Sequence, residues 1–174
     1  MGGTRGHDAA TGDGTSGRRI AVTGHRGLPA GTVSLVDAAI RAALRAAGAG
    51  VTGFSALADG ADQIFAQAVL DLGGQIETVV PAEKYRDSLP AEARADYDRL
   101  LARSVAVHPM PFTESTPEAY MAASEFMIGL AGELWAVWDG EPARGYGGTA
   151  DVVAYAWDHG KPVEVIWPPG ALRE

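Results

Sequence analysis

Three short stretches combine glycine with charged or hydrogen-bonding residues: "TGHRG" at 23–27, "SALADGAD" at 55–62 and "DGEPARGYGGTAD" at 139–151. The third is the richest. Gly145, Gly147 and Gly148 can adopt positive φ and let a ligand approach the main chain, and Thr149 suits the N-cap of a following helix. Exposed amides and the dipole at a helix start favour an anion, and Arg144 adds a charged, bidentate donor. The chemistry expected is therefore a phosphate or ribose cradle, against the plainer role of a glycine turn before a capped helix. In the second stretch, Gly60 supplies a turn, and Asp59 and Asp62 flank a helix start, as caps or as acceptors of ribose hydroxyls. In the first, Gly24 permits a sharp turn, and His25 and Arg26 present donors, with bracing of the loop as the alternative role of the histidine.

Several chemistries are excluded. Residues 145–150, "GYGGTA", fit the dinucleotide pattern G-x-G-x-x-A, yet they follow the fifth strand candidate instead of the first, so an NAD site is rejected. Neither Gly-Lys-Ser/Thr nor G-x-S-x-G occurs. The absence of cysteine removes disulfides, zinc thiolates and a thiol nucleophile, and four scattered histidines leave little scope for a metal. No metal and no cofactor are assigned. A net charge of −8, with no basic cluster longer than Arg18-Arg19, opposes nucleic-acid binding. The apolar runs are strand-sized, too short to span a membrane. The small, polar opening "MGGTRGHDAATGDGTSGRR" has no apolar core of a secretory signal; residues 1–18 read as a disordered tail, and the protein as cytoplasmic.

The elements that must position these loops alternate. Strand candidates run over 19–23, 50–55, 75–80, 104–108, 134–138 and 163–167, and helix candidates over 33–47, 61–72, 90–103, 117–130 and 150–159. Val33, Val36, Ile40 and Leu44 form one apolar stripe; Gly73-Gly74 and Gly160 close their helices; Pro81, Pro162 and Pro168 punctuate strand ends. Such alternation predicts an α/β, Rossmann-like three-layer fold in one domain over 19–174, with a mostly parallel sheet of about six strands and helices on both faces. Trp135, Trp138, Trp157 and Trp167 are core candidates, Tyr85 and Tyr146 loop residues available for stacking, and His108 and His159 structural.

Three segments, "IAVTGHRGL", "GFSALADGADQIFAQAVLDLGG" and "WDGEPARGYGGTADVVAYAWDHGKPVEVIWP", together resemble the SLOG superfamily, which includes the LOG phosphoribohydrolases, the DprA/Smf proteins and the YpsA-like group. The middle segment is similar to the DprA-type "SGLARGID" pattern, and "TGHR" to the YpsA-like branch. The resemblance implies a nucleotide-type ligand at the strand ends, lined by Gly24, His25, Arg26, Ser55, Gly60, Asp62, Gly147, Gly148 and Thr149. LOG enzymes carry P-G-G-x-G-T-x-x-E; here Thr149 matches the threonine, but Val152 stands at the glutamate and Asp151 is the nearest acid. Asp151, with Asp139 and Asp62 as alternatives, is then the candidate catalytic carboxylate of an N-glycosidase. The main expectation is a binding module for a small nucleotide or nucleotide derivative, with phosphoribohydrolase activity second and DNA binding third. The family habit and the apolar 120–130 helix suggest a homodimer.

Overall fold

The computed structural model describes residues 17–174; all but the end of the expected tail lies outside the described residues. Strands β1 (Arg19–Gly24), β2 (Thr52–Ser55), β3 (Gln75–Val80), β4 (Ala106–Pro109), β5 (Glu133–Val137) and β6 (Val163–Ile166) form one sheet in the order β4-β3-β2-β1-β5-β6. Every pairing is parallel. Helices α1 (Ala30–Ala47), α2 (Ala61–Asp71), α3 (Tyr85–Ser88), α4 (Arg94–Ala102), α5 (Pro117–Leu130) and α6 (Thr149–Asp158) fill the crossovers. Right-handed connections put α1, α2 and α4 on one face and α5 and α6 on the other. The α1–α2, α2–α4 and α5–α6 contacts agree with that division. Among the described residues no helix is long and apolar enough to cross a membrane.

The sequence periodicity explains the packing. On α1 the buried positions repeat every four residues, Thr32, Val36, Ile40 and Leu44, so Val33 sits at the flank of the stripe and Thr32 takes its place inside. The central strands are buried on both faces, as parallel strands covered by helices must be: Ile20, Ala21 and Val22 on β1 and Leu134 to Val137 on β5 are all nearly inaccessible. Phe65 on α2 meets Trp135 edge to face at 5.9 Å. Helix ends follow glycine chemistry, with Gly73 at φ +84° and Gly160 at φ +67°.

Some expectations are corrected. The 90–103 helix is a 3-10 turn over Ala91–Ala93 followed by α4, and α3 occupies what reads as loop. Tyr85 on α3 is 2% exposed, so it is a core residue and no loop platform. Trp157 is 56% exposed because it lies on the outer side of α6, where its ring meets the edge of half-buried Trp138. β4 ends on Pro109, which an edge strand tolerates because a proline nitrogen there has no ladder to serve.

Gly24 ends β1 between two packed elements. A Cβ there would lie 2.4 Å from the Ala61 Cβ and 2.8 Å from the Val137 Cβ. We predict that Gly24→Ala destabilises the fold by roughly 1–3 kcal/mol, as overpacking does. Urea unfolding checks this, and an unchanged midpoint contradicts it.

Candidate functional site

The chain leaves β1 toward β2 and later returns to β5 on the other flank of β1, so the carboxyl ends of β1 and β5 mark the switch point of the sheet. All three glycine-containing loops meet there. The Ala61 amide donates to the His25 carbonyl at 3.3 Å, and Gly60, at φ +88°, sits so close that a Cβ would fall 2.6 Å from that oxygen. Arg26 Nε donates to Asp59 Oδ1 at 2.8 Å and the Gly27 amide to Asp59 Oδ2 at 3.1 Å, which ties the first loop to the second. The third loop is tied to the first through His25, whose Nε2 lies 2.9 Å from Asp139 Oδ1 and 3.1 Å from the Asp139 amide. Neither Asp59 nor Asp62 caps α2: Gly60 occupies the cap position without a side-chain bond. Both carboxylates serve the loops instead.

Inside the third loop the carboxylates turn inward. Asp139 Oδ1 accepts the Glu141 amide at 3.0 Å, and Asp151 Oδ2 accepts the Gly147 amide at 2.9 Å. Gly147 has φ +80°, and a Cβ on it would come 2.9 Å from the Pro117 carbonyl, so the loop rests on the start of α5. Thr149 is not the cap of α6; it is the first helical residue, with Gly148 at the cap position and no capping side chain. The acceptor for the loop comes instead from Asp151 in the first turn of α6.

Two adjoining clefts open at this edge. The outer one, about 370 Å³, is lined by Gly24, His25, Arg26, Arg144, Gly147, Gly148 and Thr149, all singled out in the sequence, together with Thr23, Gly27, Arg173 and Glu174. The inner one, about 100 Å³, shares Thr23, Gly24, Arg26 and Gly147 with it and adds Asp62, Tyr85, Tyr120 and Ser124 over an apolar wall. Ser55, Gly60, Asp139 and Asp151 line neither cleft. Ser55 is fully buried; its hydroxyl accepts the Leu57 amide at 3.0 Å and donates to the Asp62 carbonyl at 3.2 Å. That bracing holds Leu57 at φ +57°, a left-handed conformation that a leucine adopts only under such constraint.

The electrostatics divide the site. Burial pushes the Asp62 carboxyl up to about 7, against the opposing pull of the Ala58 amide bond and the Arg26 charge. His25 is held below the usual histidine range by burial, opposed by its bond to Asp139 and assisted by the charges of Arg173 and Arg144, so it is a neutral strut at pH 7. For Asp139, burial works upward, but the Glu141 amide and His25 outweigh it and hold the carboxylate ionised. Arg26 is desolvated, yet its bonds and charge pairing with Asp59 more than compensate. The charged residues lining the outer cleft are thus Arg26, Arg144 and Arg173, with Glu174, beside the positive end of the α6 dipole.

Reading by sequence missed Tyr120, Ser124 and Arg173. Tyr120 and Ser124 stand four apart on α5 and so share one helix face, a spacing legible in the sequence. Arg173 carries no local signal. It is brought to the cleft because the Thr32 hydroxyl and Leu172 exchange bonds, Oγ1 donating to the Leu172 carbonyl at 2.9 Å and accepting its amide at 2.8 Å. Arg173 Nη1 then lies 3.7 Å from Asp139 Oδ2.

The sheet order, the parallel pairing and the loops gathered at its carboxyl edge define a Rossmann-like α/β fold, as the alternation of strand and helix candidates predicts. Neither a protein-family model nor a curated protein matches the chain. Among solved structures it is similar to DNA processing protein A (DprA) from Streptococcus pneumoniae, with a TM-score of 0.62 and 19% identity over 88% of this chain and 52% of that one. The chain therefore spans about half the length of that protein. DNA processing protein A from Helicobacter pylori, solved for its single-stranded DNA binding mode, gives a TM-score of 0.64 and 13% identity over 90% of this chain and 68% of the other. The Moco carrier protein of Chlamydomonas rheinhardtii gives 0.52 and 14% over 86% and 75%. At these identities the likeness is one of fold. A single-stranded DNA binder among the fold neighbours leaves the charge-based exclusion of nucleic acid without support from this comparison.

Burial pushes the Asp62 carboxyl in the folded protein up to about 7, well above its ordinary value of 3.8, so the native state holds this proton more tightly than the unfolded chain. Its contribution to stability is present at low pH and is lost as pH rises through about 7. We predict that the melting temperature of the wild type falls relative to that of Asp62→Asn between about pH 5 and about pH 8. A constant difference across that range contradicts the buried titration.

Proposed function

We propose that the protein binds a nucleotide or nucleotide-derived small molecule at the carboxyl edge of its sheet, as a sensor or carrier module. The observation that carries this reading is the convergence of Arg26, Arg144 and Arg173 with the Gly147–Thr149 turn on one cleft, in a chain whose net charge is −8. An acidic protein that gathers three arginines around a helix start has built a local anion site. The phosphate sits among the arginines and the α6 amides. Gly148 matters because any side chain there would crowd the cradle, a Cβ lying 2.9 Å from the Ala143 Cβ and 3.2 Å from the Gly145 carbonyl. Exposed Tyr146 on the same loop is the residue placed to cover a base. Within this reading the chain works as a single domain over residues 19–174, in the cytoplasm, as a homodimer that uses the α5 face where Phe126 is exposed.

A second reading, N-glycosidic cleavage of a nucleoside 5′-monophosphate, is favoured by Asp62. Of the carboxylates considered for catalysis, each of which accepts a loop amide, Asp62 lines a cleft, whereas Asp139 and Asp151 line neither. A carboxyl raised to about 7 and sheltered beside the phosphate cradle suits a general acid for the leaving base. DNA binding is the third reading, resting on the fold neighbours alone.

Titration of the purified protein with a panel of nucleoside monophosphates tests these readings. We predict that Arg144→Ala and Gly148→Val each weaken binding by about tenfold or more, the loss of a charge-assisted contact or of the cradle shape, with the fold retained. Unchanged affinity in both variants refutes the placement of the site. Release of free base that is lost in Asp62→Asn favours the enzyme, and salt-sensitive retention of single-stranded DNA favours the third reading.

A further inference from the structure

Residues 168–174 leave the end of β6 and return to the outer cleft, where Arg173 and Glu174 complete its lining. The Ala171 amide donates to the Pro168 carbonyl at 3.1 Å and Gly170 has φ +88°, which, with Pro169 ahead of the glycine, is the pattern of a type II turn. At the root of the segment Trp167 meets the His25 ring edge to face at 5.5 Å. Toward its far end Leu172 is bound twice to Thr32 on α1, its amide donating at 2.8 Å and its carbonyl accepting at 2.9 Å. Thr32 is 3% exposed, whereas Leu172 is 69% exposed. The segment is held there by two hydrogen bonds with little apolar burial, the kind of contact that opens at low cost.

Two of the three cleft arginines are uncommitted. Arg26 is bonded to Asp59 at 2.8 Å, but Arg144 and Arg173 donate no side-chain hydrogen bond among the described residues. The one ion pair of Arg173 there is the contact with Asp139 Oδ2 at 3.7 Å, past hydrogen-bond distance, although its side chain is only 19% exposed. Asp139 Oδ1 is already engaged by His25 and the Glu141 amide. A guanidinium so sheltered gives up water without gaining an acceptor. Arg144 and Arg173 also both disfavour a charge on His25, so like charges converge on one point. A phosphate between them meets both needs, as an acceptor and as a counter-charge.

We infer that residues 168–174 are a strap that closes on a bound phosphate, with Arg173 as its arm and the Thr32–Leu172 pair as its clasp. This rests on the phosphate placement above and adds what the cleft does when filled. With phosphate in place, Arg173 leaves its long contact with Asp139 for the ligand, and the clasp is held shut. Linkage makes the effect reciprocal: a ligand that favours the closed strap binds less well when the clasp is weakened. Thr32, buried in α1 and lining neither cleft, is thereby a positioning residue for anion affinity.

Hydrogen exchange of the Leu172 amide, followed by NMR with and without saturating inorganic phosphate, tests the strap. Phosphate is expected to slow this exchange about fivefold or more in the wild type and to leave it unchanged in Arg173→Gln, which still binds phosphate through Arg26 and Arg144. In Thr32→Val, near-isosteric and checked for an intact melting transition, phosphate affinity falls about fivefold, and Thr32→Ser restores it. In the Arg173→Gln background the loss caused by Thr32→Val disappears, because both act through one contact. Should Thr32→Val fail to fold, Leu172→Pro, at an exposed position, removes the amide from the clasp and is expected to give the same loss. Phosphate that binds the wild type without slowing the exchange, slows it equally in Arg173→Gln, or binds Thr32→Val as tightly as the wild type overturns the strap and leaves the cradle standing. A wild type that fails to bind phosphate overturns both.

Discussion

Close approach at the carboxyl end of β1 is the constraint on which the rest of the site depends. Gly24 has no side chain, so the first residue of α2 and the last of β5 can both pack against the end of β1. That contact brings the loop after β2 and the loop after β5 to the same point, one on each flank. His25 and Arg26, the next two residues, then complete the junction, the first bridging to Asp139 and the second to Asp59. A backbone contact thus comes first, and two polar bridges orient what it has brought together.

The bridges are of different kinds for a physical reason. His25 is buried and neutral, so its bond to Asp139 is a strut that stays in place without a net charge. Arg26 is partly exposed and charged, and its partnership with Asp59 fixes a cation between two clefts without neutralising the whole rim, because Arg144 and Arg173 stand beside it. The aspartates of the three loops are turned toward amides and partners, Asp151 toward Gly147, Asp139 toward Glu141 and His25, Asp59 toward Arg26 and Gly27, Asp62 toward Ala58. An acidic chain in this way gathers three arginines, with Glu174, at one cleft. The sign of the cleft comes from which charges are spent internally, a quantity that net charge does not report.

Strain and burial mark the inner side of the same junction. Leu57 in a left-handed conformation, braced by Ser55, and Asp62 kept partly protonated by burial are both costs that the surrounding core must sustain. Groups held in this way resist relaxation, so they keep a cleft open and shaped where a softer loop collapses. Tyr85 contributes likewise, its ring clamped by two others where it lines the cavity.

The local pattern of residues was sufficient for the fold and for most of the outer cleft. The alternation of β-rich runs with amphipathic helices can bury both faces only as a covered parallel sheet, and glycine-rich strand-to-helix loops must lie at its carboxyl edge, so Gly24, His25, Arg26, Arg144, Gly147, Gly148 and Thr149 were legible together. The roles within that group were less so: Thr149 reads as a cap, yet Asp151 supplies the loop's acceptor and Gly148 takes the cap position, because Gly147 rests on α5 and turns its amide toward Asp151. The inner cleft and Arg173 were decided by tertiary structure alone. Tyr85, Tyr120 and Asp62 come from three crossovers, and Arg173 arrives through a bond between Thr32 and Leu172, 140 residues apart. Periodicity and motif report what a residue does with its neighbours in the chain; which strangers it meets depends on how the crossovers pack, and only the folded chain contains that information.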